Sequence, residues 1–370
     1  MRAEYDCYAI TAPGLERVTA RELGTLDLVP TEVEPGGVAF RARKAGLYTA
    51  NLELRSASRV VVRLGAFHAS AFHELERRAR RLPWHRFLGP GATAEFRVTS
   101  RKSKLYHQDA VAERLARMVE NGRERARTGE NVAPQLFVIR LFRDECTISV
   151  DSSGELLHRR GYRLEGGEAP LRETLAAAML LESGWDGRAP LADPFCGSGT
   201  IPIEAAWIAR RRAPGLDRRF AFERWPEFDP LGWKRLRDDA RSRMLDRALG
   251  PIVGADRDEA AVATAASNAE RAGVADDVEL RVATMAVFDP PAGPGHLVTN
   301  PPYGVRVGDR AKLRGLYARL GEVVRTRCAA WRVTMLSPDR SLEHATGLRF
   351  ECRWLTTNGG IKVRLVSTPS

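Results

Sequence analysis

Between residues 171 and 338 short apolar runs alternate with helical periods, and this alternation restricts the fold more than any other feature of the 370-residue chain. The apolar runs are "PLADPF" (190–195), "PIVGAD" (251–256), "VELRVA" (278–283), "HLVTN" (296–300) and "WRVTMLSP" (331–338). Between them come the helical stretches "LRETLAAAMLLESGW", "TIPIEAAWIARRR", "DEAAVATAASNAERAG" and "RAKLRGLYARLGEVVRTR". Parallel strands need crossover connections, and crossover helices cover the sheet, so the pattern predicts an α/β domain with both faces of its sheet buried. The chain ends differently: "GLRFECRWLTTN" and "IKVRLVST" flank Gly359 and Gly360, which predicts an antiparallel hairpin closed by a tight turn. Residues 213–250, carrying "RFAFERWPEFDP" and a helix, read as an insertion beyond the first crossover helix.

The first 155 residues have another grammar. "YDCYAITAPGLERVTARELG" passes from an extended alternation into a helical period and predicts a small α+β unit over residues 1–60. Strand-like "RVVVRLGAF", "TAEFRVTS", "QLFVIRLF" and "CTISVDSS", with helix-like "AFHELERRARRL" and "HQDAVAERLARMVEN", predict a second α+β unit over residues 61–155. The Gly-rich, charged segment 154–170 reads as a link to the α/β domain, expected over 156–370.

The formal charge of +11 attracts polyanions, and 52 of the 58 basic residues are arginines, whose planar fork suits phosphate. Five scattered cysteines without a CxxC pair indicate neither a disulfide framework nor zinc, and His68, His73, His85, His107, His158, His296 and His344 show no metal-ligand spacing. With no signal-like segment, no long apolar span and no heptad or apolar stripe, a cytoplasmic monomer is expected.

Three motifs carry chemistry. "DPFCGSGT" (193–200) joins an apolar run to an amphipathic helix; Gly197 and Gly199 permit close approach of a ligand to the turn. It is neither GxGxxG nor a P-loop, and an acid four residues before the first glycine suits the ammonium of an amino acid, which S-adenosylmethionine carries. Asp256, closing the next strand, is placed to accept ribose hydroxyls, while Asp258 reads as a helix cap. "NPPY" (300–303) ends a later strand in a rigid extended turn: the Asn300 side-chain oxygen and the Pro301 carbonyl can each accept one hydrogen of an exocyclic amine, Pro302 stiffens the turn and Tyr303 can stack on the base. Basic clusters at Arg97, Arg101, Lys102 and Lys104, beside Tyr106 and His107, and at Arg159 and Arg160 fit RNA, although a charge run is more often only a solvated face.

At these residues the chain resembles the THUMP-domain family of class I RNA guanine-N2 methyltransferases. The resemblance runs through "DSSGELLHRRGYR", "EAPLRETLAAAMLL", "LADPFCGSGTIPIEAAWIA", "APGLDRRFAFERWP" and "TNPPYGVRVG", in that order. It implies a ferredoxin-like unit and a THUMP domain for RNA, then a Rossmann-like methyltransferase domain using S-adenosylmethionine. The cofactor set it implies is Leu171, Thr174, Asp193, Pro194, Phe195, Gly197, Gly199, Thr200, Asp256, Arg257 and Thr284, with Asn300 to Tyr303 at the target base. One departure is Thr284, where relatives carry an Asp for the adenine amino group; Asp289 is the other candidate for that contact. The resemblance implies N2-methylguanosine in 23S rRNA, with the tRNA acceptor stem as the alternative. DNA adenine-N6 and protein glutamine methylation would use a similar NPPY but leave the first 155 residues unexplained, and a non-catalytic RNA-binding or assembly factor is the contrasting class.

Overall fold

The computed structural model describes residues 4–121, 133–163, 171–303 and 310–369. Residues 164–170 of the linker and 304–308 of "TNPPYGVRVG" lie outside the described residues.

Two seven-stranded sheets organise the chain. The first holds β1 (Tyr5–Thr11), β2 (Pro30–Glu34), β3 (Gly37–Ala42), β4 (Ala57–His68), β5 (Ala94–Arg101), β6 (Gln135–Phe142) and β7 (Glu145–Asp151), in the order β2-β3-β1-β4-β7-β6-β5. Helices α1 (Glu16–Thr25), α2 (Lys44–Glu53), α3 (Phe72–Ala79) and α4 (Gln108–Asn121) accompany it. β4 runs through the expected boundary at residue 60: its Val61 faces Tyr8 of β1 while Val62 faces Val150 of β7. The two expected α+β units therefore share one hydrogen-bonded sheet and one apolar core.

The second sheet is the predicted α/β domain. Strands β8 (Leu191–Asp193), β9 (Ile252–Asp256), β10 (Val278–Val282), β11 (His296–Thr299) and β12 (Arg332–Ser337) are parallel, and β13 (Glu351–Asn358) and β14 (Ile361–Ser367) complete the order β10-β9-β8-β11-β12-β14-β13. β14 is antiparallel to both its neighbours, and Gly359 and Gly360 turn the hairpin with φ of 56° and 82°, values that the absence of a Cβ makes accessible. Helices α5 (Glu173–Ser183), α6 (Thr200–Ala209), α8 (Glu259–Arg271), α9 (Arg310–Arg327) and α10 (Arg340–Ala345) complete this half, while α7 (Pro230–Ser242) of the insertion packs against α2. α5 and α6 are buried around most of their circumference, as their Ala, Leu and Ile content on every face requires. Among the described residues no helix is long and apolar enough to cross a membrane.

The insertion after α6 does more than lengthen a loop. Phe220, Phe222, Trp225 and Trp233 enter the core of the N-terminal sheet: the Phe222 ring stacks on Tyr48 at 4.4 Å and Trp225 meets Phe87 edge-on at 4.8 Å. Trp225 Nε1 donates to Gln135 Oε1 at 2.8 Å, and the Gly215 amide donates to the Leu52 carbonyl at 2.9 Å. A Cβ at Gly215 would stand 2.9 Å from that carbonyl oxygen, so only glycine permits the approach. Leu15 and Val18 of α1 pack in turn against the α/β core. Each half thus completes the other's interior, which fixes their relative orientation.

Candidate active site

Strand order reverses between β8 and β11: the chain proceeds from β8 outward through β9 to β10, then returns to β11 on β8's other side. At such a switch point the loops beyond the carboxyl ends diverge and leave a crevice. Asp193 ends β8, Asp256 ends β9 and Asn300 follows β11, so the three predicted motifs meet at one edge.

Asp193 is buried, and its Oδ1 accepts from Thr299 Oγ1 at 2.6 Å and from the Phe195 amide at 3.1 Å. Burial pushes its carboxyl up to about 7 in spite of these donors. Both donors serve Oδ1, leaving Oδ2 for a cationic partner. The glycine turn is held from three directions. Gly197 N donates to Asp256 Oδ2 at 3.0 Å, Cys196 N to the Ala255 carbonyl at 2.9 Å, and Asn268 Nδ2 to the Ser198 carbonyl at 2.9 Å. The two glycines differ in use. Gly199, at φ 82°, begins α6 against α8, where a Cβ would lie 2.9 Å from Ala265 Cβ; Gly197, at φ 51°, has nothing within 4 Å of such a position and faces open space. The remaining oxygen of Asp256 accepts from the Asp258 amide at 3.1 Å, and Asp258 caps α8 through Ala260 N at 3.0 Å, as its sequence position predicts.

Leu171 and Thr174 are buried around the start of α5, and the structure ties Leu171 to Thr200 at the start of α6. The tie is Arg163: Nη2 donates to the Leu171 carbonyl at 3.0 Å and to Thr200 Oγ1, and lies 3.5 Å from Glu173. Pro194 and Phe195 lie in the turn, Arg257 is exposed just beyond Asp256, and Thr284 is exposed two residues past the end of β10. The Asp289 carbonyl accepts from Arg281 Nη1 at 2.7 Å and its residue is exposed beside the same strand.

On the other side of the switch, Asn300 Oδ1 is buried and makes no hydrogen bond among the described residues. Pro301 is buried and Pro302 exposed. The Tyr303 hydroxyl accepts from Asn358 Nδ2 at the tip of the hairpin, so the C-terminal strands hold the NPPY turn from outside; burial raises this phenol, which stays neutral.

This donor set fits S-adenosylmethionine. A buried carboxylate with one free oxygen suits its ammonium, an open Gly197 leaves room for its chain, and Asp256 sits at the end of the neighbouring strand for its ribose. Among the described residues no group of three or more His, Cys, Asp or Glu side chains is placed to hold a metal.

Of the basic residues, Arg101, Lys102 and Lys104 are exposed at the end of β5 and in the turn after it, with the exposed Tyr106 ring tilted against His107 at 4.1 Å. Arg159 is exposed and lies 3.6 Å from Glu155. Arg160 is a correction: only 5% exposed, it lies 3.4 Å from Glu204 and donates to the Leu157 and Arg55 carbonyls at 2.7 and 2.8 Å. A guanidinium spent on buried acceptors does not reach phosphate. Charge density alone had placed it on the surface; its burial depends on Glu204 and Arg55, which lie far from it in the chain. Cys352 is exposed, while the other four cysteines are buried and all five are free. Thr299, Asn268, Arg163 and Asn358 escaped sequence reasoning because their roles are long-range; only Thr299, adjoining NPPY, carried a positional hint.

Residues 160–365 match the RMKL-like methyltransferase domain, residues 6–61 the RlmL ferredoxin-like domain and residues 69–151 the THUMP domain. The Synechocystis protein slr0064, which carries the name of an RNA methyltransferase, is 33% identical over 97% of this chain and 95% of its own. The ribosomal RNA large subunit methyltransferase K/L of Syntrophotalea carbinolica is 36% identical over 99% of this chain but 54% of its own, so the chain spans about half the length of its K/L relatives. The crystal structure of SMU.472 complexed with S-adenosylhomocysteine superposes with a TM-score of 0.92 at 33% identity, covering 100% of this chain and 98% of that one. The crevice at the strand switch, the glycine turn and the NPPY edge thus sit in a chain that belongs to the RMKL-like methyltransferase family, behind ferredoxin-like and THUMP domains.

Proposed function

We propose that this chain is an S-adenosylmethionine-dependent RNA methyltransferase that forms N2-methylguanosine, with 23S rRNA as its substrate. The observation that carries the reading is the buried Asn300 Oδ1, without a partner among the described residues, at the carboxyl edge of the strand next to Asp193. An acceptor left without a donor in the interior costs about 1–3 kcal/mol, a cost that a ligand N–H removes.

S-adenosylmethionine supplies an electrophilic methyl group when bound; the chain's own residues bring an amine to it. An exocyclic amine is a poor nucleophile because its lone pair is conjugated with the ring. Asn300 Oδ1 and the Pro301 carbonyl would accept hydrogen bonds from its two N–H groups and localise the lone pair on nitrogen out of the ring plane, and the proton lost on methylation would leave from one of those N–H groups. The two prolines hold that geometry, and the bond from Asn358 restrains Tyr303 as a wall for the base. Asp193 would hold the ammonium of the cofactor and Asp256 its ribose, at the ends of the neighbouring strands β8 and β9. No side-chain nucleophile enters: positioning and hydrogen bonding carry the reaction. The exposed basic turn at residues 101–104 of the THUMP region supplies phosphate contacts away from the crevice.

The test is incubation with methyl-labelled S-adenosylmethionine and, separately, unmodified 23S rRNA and total tRNA, followed by nucleoside mass analysis. N2-methylguanosine in 23S rRNA alone is the expected product. The same nucleoside in tRNA alone moves the substrate to the tRNA alternative. Cofactor binding without label in either RNA removes the free-RNA reading in favour of a ribonucleoprotein substrate or a non-catalytic role.

A further inference from the structure

A second cavity adjoins the NPPY edge on the side away from the glycine turn. Its volume is about 480 Å³, within the range of about 300–1,000 Å³ that small-molecule pockets occupy. Tyr303, Leu313, Leu342, Pro338 and Ile361 form its apolar surface, and Arg310 and Arg314 of α9 stand on its wall.

The fold explains its position. Pro338 follows the carboxyl end of β12, and Ile361 begins β14, which runs antiparallel to β12 with Ser337 opposite Arg364. Both therefore lie beyond the carboxyl edge of the sheet, in the half opposite Asp193 and Asp256. Tyr303 is the shared wall between this cavity and the NPPY turn. Arg310 and Arg314 are four residues apart and both exposed, so they project from one face of α9 as neighbouring positive charges. Asp339 also lines the cavity: its Oδ1 accepts from Ser341 N at 2.8 Å, Ser341 Oγ at 2.7 Å and Leu342 N at 3.1 Å, and its carboxylate feels the charge of Arg310, while Arg314 stands one turn further along α9.

An aromatic wall, an apolar floor and two guanidiniums are the groups that hold an unstacked nucleotide: the rings and aliphatic carbons take the base or ribose, and the arginines take phosphate. Resting on the RNA reading above, we infer that this cavity is a subsite for the nucleotide adjoining the target base, with Arg310 and Arg314 pairing with its two phosphodiesters. The subsite keeps the target nucleotide extruded by holding its neighbour out of the stack, so that the amine meets Asn300 without the enzyme entering a duplex.

The experiment compares wild type, Arg310→Ala/Arg314→Ala and Arg310→Lys/Arg314→Lys. Affinity for a fluorescein-labelled 23S rRNA transcript is read by anisotropy across a salt series, and cofactor binding by calorimetry. The alanine pair is expected to bind RNA at least about tenfold more weakly at low salt, with a log–log salt slope shallower by about 1.4, the loss of two single-strand phosphate contacts. The lysine pair keeps the wild-type slope, and all three bind S-adenosylmethionine equally. An alanine pair whose RNA affinity lies within twofold of wild type with an unchanged slope overturns the subsite. The two readings fail separately: product N2-methylguanosine with an unchanged slope removes the subsite alone, whereas a reduced slope with another methylated nucleoside keeps the subsite and removes the guanine assignment.

Discussion

Phe222 and Asn300 lie in two interiors of one chain that are finished in opposite ways. Around Phe222 the N-terminal sheet closes on rings from the insertion, with Tyr48, Phe220 and Trp233 in contact and the Trp225 nitrogen bonded to Gln135. Around Asn300 the interior is left open to chemistry: one buried oxygen has no partner among the described residues, and Asp193 is held where its carboxyl titrates near neutrality. The first region holds the molecule together by ring packing, even though the Trp233 nitrogen has no partner among the described residues, and the second keeps its unpartnered acceptor at the crevice, where a ligand can offset the cost. The difference separates stability from catalysis, and substitutions in one region should leave the other's observable unmoved.

The largest effect is expected from Phe222→Ala. Removing a fully buried ring that stacks on Tyr48 should cost roughly 3–5 kcal/mol, read as a lowered urea midpoint, while methyl transfer per folded molecule stays at wild-type level. A fall in kcat without a fall in stability would erase the division. Asn300→Ala tests the opposite corner, and roughly 10²–10³-fold is expected to go from kcat with an unchanged thermal midpoint. If stability dropped instead, the orphan oxygen would be structural.

Arg163→Met sharpens the boundary, because this side chain links the start of α5 to the start of α6. Cofactor affinity should weaken by about tenfold or more as a buried charge pair is broken, with kcat at saturating cofactor nearly retained and Arg163→Lys recovering part of the loss. Equal losses in kcat and in affinity would mean that Arg163 acts beyond the cofactor pocket.

A pH series follows from Asp193. Its carboxyl is raised to about 7, whereas an unfolded Asp titrates near about 3.9, so between these values the ligand-free native state holds the extra proton and loses stability as pH rises. An ammonium requires the ionised form. Cofactor affinity should therefore rise with pH by up to about tenfold per unit below the folded value and level off above it. Asp193→Asn should flatten the profile; a slope that persists in that variant assigns the titration elsewhere. The smallest effect belongs to Lys102→Ala/Lys104→Ala, exposed in the turn after β5, where RNA affinity should fall a few-fold and the salt slope by about 1.4, with cofactor binding unaltered.

Much of the catalytic half was readable in order. Apolar runs and helical periods predicted the parallel strands, the paired glycines predicted the hairpin turn, and DPFCGSGT, Asp256 and NPPY converge at the switch between β8 and β11. These are local signals: a period, a turn residue and a strand terminus are each written within a dozen positions. What was not readable depends on partners far apart in the chain. Arg160 lies in a run of basic residues, and partners that include Glu204, forty-four positions away, and the distant Arg55 carbonyl take it out of the solvent. β4 looks like the first strand of a new unit, and only its pairing with both β1 and β7 makes one sheet of two.

By itself the sequence determined the order of the elements, the residue types at the crevice and the chemistry those types can perform, since each follows from backbone preference and side-chain functional groups. Tertiary structure alone decided which groups would be left without partners, that the insertion would close the N-terminal core, and that Arg163 would tie α5 to α6. Burial and hydrogen-bond satisfaction are properties of everything packed around an atom, and no stretch of neighbouring residues specifies them.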